Sequence, residues 1–147
     1  MKKWFVGAIA LVAMSTAIVA QASDRKIMLP VEGGMAANDA KGRLGDDVKF
    51  YFGNQKTPSV VKKLGSDQTS QKTNAFGKSD ATACNWAFLS AMLRLQQHAR
   101  EIGANAVVNI VSNYKNVEYS SESDFECHAG AMIAGVALKG DFVRIQN

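Results

Sequence analysis

The sequence predicts an α+β domain: a small sheet of three to five strands, one main helix packed on one of its faces, and one disulfide. Three observations carry this expectation. Apolar residues recur at helical spacing through 81–102, a β-branched run follows Gly103 almost at once, and two cysteines, Cys84 and Cys127, lie downstream of a segment with the features of an export signal.

Lys2 and Lys3 form a short positive start, and the run from Trp4 to about Ala20 carries no charge. Ala20-Gln21-Ala22 then supplies the small-x-small pattern of a signal-peptidase site. Residues 1–22 are therefore expected to be a signal peptide, cleaved between Ala22 and Ser23. The apolar run approaches the ~17-residue minimum for a bilayer span, but the small-residue site directly after it favours cleavage over retention as an anchor. A lipoprotein needs cysteine as its first mature residue, and Ser23 stands there. No lipid anchor, and no stable membrane insertion after cleavage, is expected.

The expected domain covers residues 23–147 and is periplasmic or secreted. The formal charge of the full chain is +4, and loss of Lys2 and Lys3 leaves +2. So slight a positive balance does not point to nucleic acid as a partner. An even cysteine count in an exported chain predicts a disulfide. Cys84 and Cys127 are 43 positions apart, a loop whose closure the chain-entropy model values at about 4 kcal/mol. The alternative is two free buried thiols.

Ile27-Met28-Leu29 reads as a short strand stopped by Pro30 and Gly33-Gly34, and 36–46 as turn or a short helical piece. Val48 to Phe52 alternates as a strand and ends at Gly53. Residues 53–80 form an expected long Lys-rich loop, with a strand only around Val60-Val61. There Lys56, Lys62, Lys63, Lys72 and Lys78 face only Asp67 and Asp80. Unstructured loops of this length are uncommon unless functional or mobile.

The helix at 81–102 has Ser79 or Asp80 as its cap. Its apolar stripe is Cys84, Ala87, Phe88, Ala91, Met92, Leu95, Ala99 and Ile102, with Arg94, Gln96, Gln97, Arg100 and Glu101 mostly on the other side. Arg100 suits the C-terminal end of the helix dipole and Gly103 the helix stop. A β-hairpin is expected over 104–138: a strand from Ala104 to Val111, a polar open end at 112–126, and a returning strand from Cys127 to Leu138. Phe142 to Ile145 would extend the sheet. The disulfide would tie the helix's first turn to the start of the returning strand. No internal repeat is present.

Phe76-Gly77-Lys78-Ser79 before a helix invites a phosphate-loop reading, but the first glycine of that motif would fall on Lys72. No nucleotide is expected. Cys84 and His98 lie ~21 Å apart along one helix and cannot share an ion within a subunit. Cys127 and His128 point to opposite faces of a strand. No cofactor and no metal site is expected; the nearest approach to one is His128 with Glu122, Asp124 and Glu126, whose alternate spacing would line one strand face for a hard cation. The plainer reading of those acids is a solvated hairpin tip. Ser120, Ser121 and Ser123 lack a nucleophile elbow. Cys84 near a helix N-terminus is the one nucleophile with a rationale, provided that its thiol is free.

Ala99-x-x-x-Gly103-Ala104-Asn105-Ala106-Val107-Val108-Asn109-Ile110 and Cys127-x-Ala129-Gly130-x-x-x-Ala134-Gly135-Val136-Ala137-Leu138 resemble the helix-to-strand segment and closing strand of two related small-domain families. One is the YbjQ-type family, associated with heavy-metal binding. The other is the periplasmic domain of the envelope-stress lipoprotein RcsF. The chain is still more similar to a group of exported bacterial proteins, some labelled "excinuclease ATPase subunit". That label needs phosphate loops and zinc motifs, and the chain carries neither. The resemblance spans about the last 65 residues. It implies a compact α+β domain, a disulfide-stabilised periplasmic setting and, from the rings of the YbjQ type, a homo-oligomer.

The functional expectation is a non-enzymatic periplasmic binding or interaction module tied to envelope homeostasis. Its binding face would be 112–126 together with 53–80, meeting a protein partner or an anionic envelope surface. The alternatives are a periplasmic metal-binding protein using His128 and its acidic neighbours, and a thiol-dependent enzyme using Cys84.

Overall fold

The computed structural model describes residues 24–147; the expected signal segment and its cleavage site at Ala22 and Ser23 lie outside them. The elements in order are β1 (Arg25–Pro30), α1 (Val31–Ala36), α2 (Ala40–Leu44), β2 (Lys49–Phe52), β3 (Val60–Asn74), α3 (Asp80–Glu101), β4 (Ala106–Tyr114), β5 (Val117–Tyr119), β6 (Asp124–Ala129) and β7 (Ile133–Ile145).

One helix, α3, dominates, and its N-terminus is capped as expected: the Ser79 hydroxyl accepts from Thr82 N at 3.2 Å. Gly103, at φ +79, turns the chain out of the helix. The buried stripe of α3 contains Cys84, Ala87, Phe88, Ala91, Met92, Leu95 and Ala99. Ile102, the last member of the predicted stripe, is 36% exposed. Gln96, predicted for the polar side, is buried, and its side-chain amide donates to the Leu44 carbonyl at the end of α2. A buried amide with a partner is tolerated, and here it pins α2 to the main helix.

The sheet corrects the predicted fold class. It has seven strands rather than three to five, and it is mixed: β2 runs parallel to β4, and the other pairings are antiparallel. Its centre is β7, thirteen residues long, which absorbs the separate strand expected at 142–145. Along one side β7 pairs with β3 over nearly its whole length. On the other it pairs with β6 near its start and with β4 farther on.

Most of the expected Lys-rich loop is β3. Its fifteen residues are polar because one edge and much of both faces meet water, so no hydrophobic alternation marks it; the ladder to β7 holds it extended. Lys62 and Lys63 and two register shifts in its first half are devices that discourage further strands from adding to such an edge. The expected return strand 127–138 is instead a tight hairpin. β6 turns through 130–132 into β7, with Gly130 N donating to the Ile133 carbonyl at 2.9 Å. Segment 112–126, expected to be open, supplies the end of β4, β5 and the start of β6.

The core lies between α3 and one face of the sheet. Phe88 stacks on Phe125 at 4.4 Å and on Phe52 at 6.1 Å. β1 ends at Pro30 as expected, and the chain passes directly into α1, which contains Gly33-Gly34. A Cβ on Gly34 would come within 2.6 Å of the Phe88 ring, so the glycine is what lets α1 lie against the core. The disulfide is present: Cys84 in α3 and Cys127 in β6 have Cα atoms 5.9 Å apart. It ties the helix to the shorter strand preceding β7, not to the last long strand.

Candidate functional site

Residues of β7 alternate between the core face and the outer face, away from α3. Ala134, Val136, Leu138 and Phe142 enter the core. Gly135, Ala137, Lys139 and Asp141 fall on the other face by the same alternation. Val143 and Ile145 form a small second cluster there with Ala106.

Gly135 and Ala137 are small, whereas the strands beside them carry long polar side chains. A groove of about 490 Å³ results, floored by Ala137. Its walls are Gln68, Ser70 and Lys72 from β3 and Asn113, Tyr114, Lys115 and Asn116 from the end of β4 and the turn into β5. Lys115 and Asn116 have φ of 51° and 61°, the paired positive values of a two-residue hairpin turn that matches strand twist. This turn puts both side chains at the rim. Asn113 Nδ2 donates to Gln68 Oε1 at 2.6 Å, reaching over β7 because Ala137 leaves the space.

Two cations, Lys72 and Lys115, line the groove and no acid does. Neither forms an ion pair among the described residues. Lys139, nearby on the same face, is different: Glu118 bonds it at 2.7 Å and raises its pKa above the ordinary lysine value.

Behind the Tyr114 wall lies a buried polar cluster. Glu126 is 6% exposed; its carboxylate meets His128 Nε2 at 2.9 Å and Lys26 Nζ at 3.2 Å. The Tyr114 ring stacks on His128 at 3.4 Å, and its hydroxyl donates to Asp24 at 3.4 Å. A buried carboxylate needs such partners. The cluster fixes the ring that forms the groove wall.

Of the residues singled out for a metal, His128 and Glu126 meet, joined by Lys26. Asp124 lies at the start of β6, and Glu122 in the turn before it, where Ser121 Oγ accepts from Ser123 N and Asp124 N. Among the described residues no three His, Cys, Asp or Glu side chains converge as metal ligands. His98 lies on the helix side, 2.7 Å from Asp67. Cys84 and Cys127 are both spent in the disulfide, a bond that fits an oxidising compartment. Among the described residues no helix is long and apolar enough to cross a membrane.

Both segments expected to bind, 53–80 and 112–126, thus contribute to one groove. No sequence signal marks Ala137, Lys26 or Asp24 as part of this site. An alanine carries no chemical signal, and the run of small residues at 134–137 acquires meaning only from its long neighbours. Compared with known proteins, the chain matches no family model, no curated protein and no solved structure.

Proposed function

We propose that this protein is a non-enzymatic binding module of the cell envelope, periplasmic or secreted, that takes an anionic, hydroxyl-rich ligand in the groove over Ala137. One observation carries the reading: polar side chains from two segments distant in sequence, 53–80 and 112–126, converge there, bringing two lysines without an ion-pair partner among the described residues and a set of amide and hydroxyl groups with no acid among them. Lysines supply charge attraction, and amides and hydroxyls supply directional bonds to a polyol. The expected export signal and the disulfide support the location. The similarity of 99–110 and 127–138 to the RcsF and YbjQ types is in keeping with an envelope role.

The test is a titration followed by amide NMR, with trigalacturonate as the anionic probe and maltotriose as its neutral counterpart. Trigalacturonate is expected to shift the amides of Ser70, Lys72, Asn113 and Lys115, with maltotriose giving much weaker changes. Ala137→Met fills the groove from the solvent face and should abolish those shifts while leaving the core resonances in place. Absence of shifts at these four residues, or shifts that Ala137→Met leaves untouched, would sink the proposal.

A further inference from the structure

We propose that the end of the sheet next to the start of α3 is a docking tip for an anionic phospholipid bilayer, entered by Phe76, Met132 and Ile133. The inference does not rest on the groove having a ligand. Phe76, Met132 and Ile133 are 68%, 59% and 53% exposed. The fold gathers them: Ala75 N donates to the Met132 carbonyl at 2.9 Å, and Asn74 lies directly opposite Ile133 at the end of the β3–β7 ladder. Two chain turns therefore meet there, the hairpin turn 130–132 and the turn 75–79.

The second turn is built to hold its aromatic residue outward. The Asn74 side chain accepts from Phe76 N at 2.9 Å, Lys78 N donates to the Ala75 carbonyl at 3.1 Å, and Gly77 adopts φ +71. That backbone conformation suits glycine, and the space beside Gly77 is open. The core does not use the Phe76 ring.

Charge around the tip selects the occupant. Lys78 adjoins Phe76 in the same turn, and Lys72 lies across from Gly135, two positions from Ile133. Both lysines lack an acid partner among the described residues' ion pairs. The neighbouring acids are engaged: Arg25 binds Asp80 at 2.7 Å, and Asp24 accepts from Tyr114. A bilayer suits this arrangement better than a second protein. Three side chains on two turns fall well short of the ~800 Å² that each partner contributes to a stable protein interface. Exposed apolar side chains beside lysines are what anionic lipid accepts, the lysines meeting phosphates while the apolar groups enter below them.

The experiment uses the protein as recovered from its expressing cells, with vesicles of phosphatidylcholine alone and of phosphatidylcholine mixed with phosphatidylglycerol. Phe76→Trp places a reporter at the tip without touching the core. Its added emission is expected to shift to the blue with phosphatidylglycerol vesicles and to stay at the water-exposed wavelength with phosphatidylcholine alone. Phe76→Ser combined with Met132→Ser should weaken sedimentation with the anionic vesicles by about tenfold or more, and Lys78→Gln by about fivefold. Emission that ignores both vesicle types would overturn the proposal, because any other membrane contact of the chain leaves this reporter unmoved. So would self-association in the absence of lipid that Phe76→Ser abolishes, which would make the tip a contact between copies.

Discussion

Arg100 sits in the last turn of the main helix, where a cation meets the helix dipole. Its structural partner is more specific: Asp47, just after α2, receives two bonds from the guanidinium, at 2.6 and 2.7 Å. The arginine's hydrogen bonds hold the Asp47 carboxyl below its usual 3.8, and the carboxylate in turn raises the arginine. A carboxyl depressed in the folded state contributes stability above its unfolded pKa and loses it as pH falls through the folded one. Replacing Arg100 with alanine should therefore lower stability by a constant small amount above pH 3.8. That difference should shrink on acidification below it. Both groups are about half exposed, so solvent screening keeps the effect modest. Urea unfolding of parent and variant at a series of pH values checks this; a difference that grows on acidification would contradict it.

At the scale of elements, α3 and β3 show opposite relations between sequence and structure. The helix declares itself because one face is buried and its cap and stop residues are local. The edge strand does not, because Lys62, Gln68, Ser70 and Lys72 are chosen for water, and what holds them extended is β7, some seventy positions away along the chain. An edge strand of this kind leaves a distinct signature in hydrogen exchange. Amides of Gly65–Asn74 that face β7 should be protected, and those on the free edge should exchange quickly, in alternation. Uniformly fast exchange throughout 60–74 would mean that the segment is the loop its composition suggests. The hairpin β6–β7 was similarly hidden, since Gly130 and Ala131 lie inside a run of small residues that reads as one continuous strand.

Across the whole molecule, the disulfide is the link between layers, joining α3 to β6 through the interior, where Cys84 and Cys127 are fully buried. Replacing both cysteines with alanine should lower unfolding stability by about 4 kcal/mol, read as a fall in the urea midpoint; an unchanged midpoint would show that packing alone holds the layers. The sequence by itself determined the main helix with its cap and stop and the pairing of its only two cysteines, because each of these is written in local periodicity or in a simple count. Only the tertiary structure decided the number of strands, the mixed sheet and the groove. Those depend on which distant segments lie side by side. Ala137 becomes the floor of a site only when β3 and the β4–β5 turn stand on either side of it, and hydrophobic patterning along the chain carries no record of that meeting.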